Sequence, residues 1–400
     1  MQSCLVSIIS GGLDPDLFAP FVDALTEESQ RPGVAPSTAF VLLEWCSLLT
    51  QHLAETPQWA RFGSQIVQSH AYVLDRCIGP AAKPGVSHSA ITITRRGIRK
   101  LFSQTGSRGE QAVQAAVSLL AGKGSQPSTR NAPYLGVIAG VSSRLPEAKP
   151  VLESQKGQYL SFYSREIVGS KTSVPKHIAA AFFDFFSDFA SLEDIQTEIV
   201  PALEKGLLRA PEVVLCDVMG PLVHSLPKSF DLSEILAKNL LKPILSSAKS
   251  SNAAIRGGVS TSFTALCSRT QPSSALDEAL DEILVPLKSG KLTSIEQRLL
   301  YAQLLEQAPL SDAKVEQVAS GLATVAAKEG NEGCLQAETS TLVRCCVRLE
   351  LNIPKAVRDS FTKGLADKKF PMRRIWILRT AQILGAAMED DTLAKAVPQF

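Results

Sequence analysis

The sequence has little that an enzyme centre needs. Its five histidines (His52, His70, His88, His177 and His224) lie far apart, so neither H-E-x-x-H nor a plain H-x-x-x-H metal clamp occurs. None of its eight cysteines forms a C-x-x-C pair, and the neighbours Cys345 and Cys346 cannot both close on one ion. There is no G-x-S-x-G elbow. Gly122-Lys123-Gly124-Ser125 lacks phosphate-loop spacing and follows no strand, so it reads as a flexible loop. Asp390 and Asp391 read as an acidic helix start, favoured by the macrodipole, before they read as a cation site. No catalytic residue, metal or cofactor is expected. The chain also lacks charge of one sign. Its 41 basic and 39 acidic residues leave +2, so a nucleic-acid contact has to rest on local patches. No run approaches the roughly 18 apolar residues of a membrane span, and no basic-then-apolar leader opens the chain. Most cysteines sit in apolar helical runs, as reduced core residues do. A soluble, cytoplasmic chain that makes no membrane contact is expected.

What is present is helical periodicity. Phe230 to Leu266 reads as one complete hairpin. Asp231 and Glu234 have capping-box spacing, and Leu232, Ile235, Leu236, Leu240 and Ile244 give the first helix one apolar face. Pro243 is expected to kink that helix near its end, and Leu245 to Ser251 to form a turn. Asn252 then caps a second helix anchored by Ile255, Val259 and Phe263. Neither helix can bury its stripe alone, so the hairpin needs neighbours. They are visible in two registers. Ile199-Val200-Pro201, Leu241-Lys242-Pro243 and Leu284-Val285-Pro286 repeat one pattern 42 and 43 residues apart. Val174, Val214, Ile255 and Ile295 recur at 40, 41 and 40 residues, with weaker counterparts near Leu335 and Met372. A two-helix period of about 40–47 residues lies in the HEAT/armadillo range. The expected fold is all-α, a HEAT-like helical-repeat solenoid in which each hairpin touches mainly its neighbours.

Residues 1–148 should form less regular helical repeats, and residues 149–400 regular HEAT-like repeats continuous with them. Helices are predicted over Asp14 to Glu28, Ser37 to Leu53, Pro57 to Ile78, Ser89 to Phe102, Tyr134 to Arg144 and Lys149 to Val168, the last stopping at Gly169. Gly79 to Gly85 reads as a loop, and the Gly-, Ser- and Pro-rich stretch 122–133 as a mobile one. The chain opens inside an apolar pattern and stops just after a helix start, which is expected of a fragment of a longer solenoid.

Two basic blocks are the candidate contacts for ribosomal RNA or an acidic protein. Arg95, Arg96, Arg99 and Lys100 fall on one side of a predicted helix, with Ile98, Leu101 and Phe102 turned inward. Lys368, Lys369, Arg373 and Arg374 are the densest part of a stretch from Lys355 to Arg379 that holds eight basic residues. Both blocks also fit a solvated helix face. Arg256 is expected to stack on acidic or carbonyl partners in neighbouring repeats. Phe370 and Trp376 are expected in the core.

The segments SFYSREIVGSKTSVPKHIAAAFFDFF (Ser161 to Phe186) and LEKGLLRAPEVVL (Leu203 to Leu215), with the hairpin that follows, resemble the amino-terminal region of the fungal general-control translational activator family. Looser likeness covers Leu42 onward and Ala366 to Leu384. The resemblance implies a cytoplasmic, polysome-associated, non-enzymatic HEAT scaffold. Such a scaffold rides on translating or stalled ribosomes and supports activation of the kinase of the initiation factor 2 alpha subunit in amino-acid starvation. It also implies an ABC-type ATPase partner. The family's kinase-binding segment and the portion similar to elongation factor 3 are not in this chain, so kinase contact would run through absent regions. Another HEAT adaptor, a nuclear transport receptor or a phosphatase scaffold, is the alternative.

Overall fold

Helix follows helix in the computed structural model, and no strand occurs among the described residues. These are 15–53, 56–77, 89–90, 92–93, 148–174, 178–179, 182–350, 353–365 and 380. The chain divides into two compact units, residues 1–199 with 225–227, and residues 200–224 with 228–400.

In the first unit α1 (Pro15–Gln30), α2 (Pro36–Leu53) and α3 (Trp59–Cys77) follow the predicted helices within two residues at each end. Their buried faces carry Phe18, Val22, Leu43, Cys46, Leu49, Trp59 and Ile66. Phe18 meets Phe62 edge-to-face at 5.7 Å, a favourable geometry for paired rings. Further along, α4 (Ala148–Phe162) runs into a π-helical turn, Tyr163–Val168. Gly169 ends it, not in the left-handed cap expected of a glycine but in a right-handed one with φ −79°. Glycine is needed there for another reason: a Cβ would stand 2.7 Å from the carbonyl oxygen of Arg165. Next come α5 (Phe183–Asp188) and α6 (Leu192–Asp194). The aromatic residues of the segment that carries the family resemblance form a single core here. Tyr159, Tyr163, Phe182, Phe185 and Phe186 are all buried, with Tyr163 and Phe186 edge-to-face at 4.7 Å. A capping box that the sequence reading did not single out opens α6. Ser191 accepts from the Asp194 amide at 3.1 Å, and Asp194 accepts from the Ser191 amide at 2.7 Å.

The second unit is built of hairpins. First helices are α7 (Val200–Arg209), α10 and α11 (Ser233–Ile235 and Leu241–Ser247), α13 (Ser274–Lys288), α15 (Asp312–Ala326) and α17 (Lys355–Leu365). Second helices are α8 and α9 (Pro211–Val213 and Met219–Ser225), α12 (Ala253–Cys267), α14 (Ile295–Gln307) and α16 (Glu332–Arg348). First helices pack on first helices and second on second, giving two layers with a shared core. That core holds Leu207, Leu236, Ile244, Phe263, Ile283, Leu304, Val318 and Leu342. Small side chains tie the second layer together. Ser262 donates to the Leu215 carbonyl at 2.8 Å, and Thr341 to that of Ala302 at 3.2 Å. Gly258 allows the backbones to approach, since a Cβ would meet Leu215 Cβ and Cys216 Sγ at 2.9 Å.

The proline register falls in first helices, as expected, but Pro243 does not end its helix. π-helical turns Leu236–Leu240 and Val214–Val218 precede Pro243 and Pro221. A helical proline collides with the carbonyl four residues back and removes a donor. Those carbonyls belong to Asn239 and Asp217, inside the π turns, where the widened ladder absorbs the collision. The turn Ile195–Ile199 precedes Pro201 in the same way, whereas Pro286 sits in α13 without one.

Three local expectations need correction. Asp231 does not form a capping box with Glu234. It accepts from the Ser233 amide at 2.9 Å and from the Ser233 hydroxyl, which also donates to the Gln271 carbonyl at 3.1 Å. A turn onto Ser233, two residues on, takes the carboxylate in place of the capping box. The turn after this helix begins later than expected, because helix continues to Ser247 and Leu245 is buried. Ile295 is no core anchor: it opens α14 and is 45% exposed. The structural period there is 42, from Asn252 to Ser294, each the cap of its helix. The loops expected at Gly79 to Gly85 and 122–133, and the helix at Tyr134 to Arg144, lie outside the described residues.

Candidate functional site

All eight candidate contact residues lie outside the described residues: Arg95, Arg96, Arg99 and Lys100 in one block, Lys368, Lys369, Arg373 and Arg374 in the other. His88, His177, Phe370, Trp376, Asp390 and Asp391 lie outside them as well.

The titratable groups that are described have structural settings. His70 is buried in α3, and burial holds its pKa down to about 4. His224 is exposed, its Nδ1 2.7 Å from the Gly220 carbonyl of the preceding turn. Cys345 and Cys346 are buried in α16, which pushes their thiols up to about 11 and 12. Such thiols stay protonated and unreactive near neutral pH. No cluster of His, Cys, Asp and Glu that could hold a metal ion occurs among the described residues. No described helix is long and apolar enough to cross a membrane.

The chemistry of the second unit is concentrated at the turns joining first to second helices. Arg256 Nη1 donates to the Ser250 and Ser251 carbonyls at 2.8 Å. It therefore clamps the turn of its own repeat instead of stacking on a neighbour. One period later Arg298 does the same to Leu292 and Thr293, at 3.2 and 3.1 Å. Arg298 then goes further. Its Nε and Nη2 reach Glu329 of the next turn at 2.9 and 3.2 Å, a two-pronged pair across the repeats. Glu329 is buried and also accepts from the Gly330 and Asn331 amides at 2.8 Å, so it holds the entry to α16. Sequence reading found Arg256 but missed Arg298. The spacing of 42 between the two arginines was the available signal.

Beneath this pair lies Glu338, fully buried in α16, with neither carboxylate oxygen hydrogen-bonded. Burial raises its pKa to about 8, Glu329's charge adds to the rise, and Arg298 opposes it. Two open hollows flank the first layer. One of about 440 Å³ separates successive turns and is lined by Lys288, Gly290, Arg298, Lys328 and Gly330 among others. Gly290 stands at φ +69°, the left-handed position just past the end of α13 that favours glycine. The other, about 550 Å³, lies between α13 and α15 and exposes Asp281, Val285, Lys288 and Glu316. Both hollows are open to solvent and lined in part by charged and small side chains of successive repeats.

Comparison with known sequences places this array. Residues 156–292 match the family model described as stalled ribosome sensor GCN1 N-terminal. Residues 295–400 match the model for general control nonderepressible 1 (Gcn1) N-terminal. The chain belongs to the Gcn1 N-terminal family. The junction of the two matches falls in the turn between α13 and α14. The human stalled ribosome sensor GCN1 is 23% identical over 374 residues, covering 90% of this chain and 13% of that protein. The yeast (Saccharomyces cerevisiae) eIF-2-alpha kinase activator GCN1 is 25% identical over 259 residues, covering 62% of this chain and 10% of that protein. The chain thus spans a small part of the length of these Gcn1 relatives. Among solved structures, importin beta is similar over all of this chain and 57% of its own, at 11% identity and TM-score 0.42. Kap121p bound to Ste12p gives 12% identity and the same TM-score over 53% of its length.

Proposed function

We propose that this chain is an amino-terminal repeat segment of a non-enzymatic, cytoplasmic scaffold that associates with translating or stalled ribosomes. As part of a longer protein it supports activation of the kinase of the initiation factor 2 alpha subunit in starvation signalling. The observation that carries this reading is the pair of consecutive Gcn1 family matches, which together take in well over half of the chain. The two-layer repeat array supports it: long faces with clamped turns suit a binding scaffold. Kinase contact runs through regions outside this chain, while the ABC-type ATPase implied by the resemblance is proposed as a partner of the amino-terminal segment. Arg95, Arg96, Arg99, Lys100, Lys368, Lys369, Arg373 and Arg374 are proposed as ribosome or partner contacts. The family match favours this reading over a transport receptor or a phosphatase scaffold.

Sedimentation tests it. At low salt the chain should travel with polysomes through a sucrose gradient and shift to the monosome fractions after nuclease. A chain that stays at the top defeats ribosome contact by this segment. Recovery of a transport GTPase or a phosphatase catalytic subunit in place of ribosomal proteins would favour the alternative.

A further inference from the structure

The first-layer helices of the second unit end on cations that nothing neutralises. Arg209 is the last residue of α7, and Lys288 the last of α13. Lys249 follows α11 by two residues, Lys291 follows α13 by three, and Lys328 follows α15 by two. All five are exposed. The cationic groups of all five lack an ion-pair or hydrogen-bond partner among the described residues. Other cations of the unit behave differently, the exposed Arg348 among them. Lys314 is tied to Asp281 at 2.6 Å, Arg298 to Glu329, and Arg348 to the Leu310 carbonyl at 2.7 Å.

Arg209, Lys249, Lys288 and Lys328 are 40, 39 and 40 residues apart, one per repeat. Because α7, α11, α13 and α15 pack side by side in that order, the four stand in a row. Packed helices lie about 8–10 Å apart, so the rungs of this row are about 10 Å apart. Lys288 and Lys328 are consecutive rungs and both line the 440 Å³ hollow. The acidic residues of the same edge, Glu212, Glu296 and Glu332, belong to the first turns of second helices, where the macrodipole favours them. They leave the first-layer side of the edge cationic.

We propose that this row, with Lys291, is a docking edge for the phosphate backbone of RNA. The inference rests on the ribosome reading above and names the chemistry of one contact. A polyanion fits the edge better than a protein does. Leu208, Val285 and Ile295 are exposed apolar side chains near it, but Leu208 stands two repeats from the other two, so the row has no apolar residue at each rung, whereas protein interfaces have an apolar centre. Phosphates along a strand are spaced more closely than the rungs, so each cation can meet one without a fixed sequence. The competing explanation is that cations collect at helix carboxyl ends because the macrodipole stabilises them there.

The test is binding of a fluorescent polyuridine of about twenty nucleotides to the 400-residue chain from 50 to 200 mM salt. Each backbone contact contributes about −0.7 to the slope of log affinity on log salt, so the five contribute about −3.5. Lys249→Gln, Lys288→Gln, Lys291→Gln and Lys328→Gln together should make the slope shallower by about 2.8, with an unchanged melting temperature. A control with Lys171, Lys228 and Lys238 changed to Gln should keep the slope. In the unaltered chain, RNA should shield Lys249, Lys288 and Lys328 from acetylation, which reads the site without any variant. An unaltered slope in the first variant, an equal loss in the control, or binding of polyglutamate but not of polyuridine overturns the proposal. Ribosome pelleting separates the two readings. A chain that pellets with ribosomes but ignores polyuridine loses the RNA edge and keeps the scaffold function; one that does neither loses both.

Discussion

Replacing Glu338 with Gln should stabilise the second unit progressively as pH rises. The substitution keeps the shape of the side chain and leaves an equally unpartnered polar group, but it removes the ionisable proton. In the folded chain Glu338 holds that proton to about pH 8, against 4.5 for an ordinary glutamate. The groups facing it are Glu329 from the preceding turn, Arg298 from α14 and Cys334 one helical turn back. Unfolding therefore releases a proton between these two values, and stability falls as pH rises through that window. The variant lacks this loss. At about 1.4 kcal/mol per pH unit, the gap between variant and parent should widen by about 3 kcal/mol from pH 5.5 to 8.5. Urea unfolding of both proteins at several pH values, followed by circular dichroism, reads the gap directly, and comparing the two cancels every titration they share. A gap that stays constant across pH would refute the reasoning, because Glu338 would then ionise at its ordinary value.

The Arg298–Glu329 pair, 19% and 4% exposed at the side chains, should cost about 3 kcal/mol or more when Arg298→Ala strands the carboxylate. Arg298→Lys should recover only part of that loss because it cannot offer the fork; a double-mutant cycle with Glu329→Gln gives the coupling. Gly258→Ala should destabilise by about 1–3 kcal/mol through the close approach to Leu215 and Cys216. The adjacent Gly257→Ala, with open space around its Cβ, should be neutral or stabilise by up to about 1 kcal/mol. Equal melting shifts in these two glycine variants would remove the packing argument.

The architecture was legible because a two-helix period imprints itself on both the proline positions and the helix caps. Asn252 was read correctly as a cap from its place before an apolar run, and its amide oxygen accepts from Ala254 at 2.8 Å. The anchor series failed at Ile295 because helical apolar spacing is degenerate. Ile255 stands three residues after its cap and Ile295 one after its own, a slip of two residues that turns a helix position by about 200° and that counting apolar letters does not detect. Caps do not slip, and Asn252 and Ser294 fix the register. Partners across repeats were not legible. Glu329 is 31 residues from Arg298 and lies in a turn whose letters, AKEGN, read as solvated. Glu338 likewise reads as the polar side of an amphipathic helix, although Leu335, Thr339 and Leu342 beside it are also buried. The basic blocks were found by counting charge, which says nothing about where the charges stand.

The π turns have a geometric consequence for the apolar stripes. Within the stretch from Leu232 to Leu245, the buried apolar residues fall into two groups: Leu232, Ile235 and Leu236, up to the first residue of the turn, and Leu240, Leu241, Ile244 and Leu245, from its last residue onward. On a uniform helix of 3.6 residues per turn the mean directions of these groups would stand about 155° apart, and one would face water. A π turn takes up about one surplus residue, equivalent to about 100° of rotation, and so brings the two groups to within about 60° of each other, toward the same core. It works as a phase corrector. A chain with such correctors can gain or lose a residue within a first helix and still close each hairpin on its neighbour.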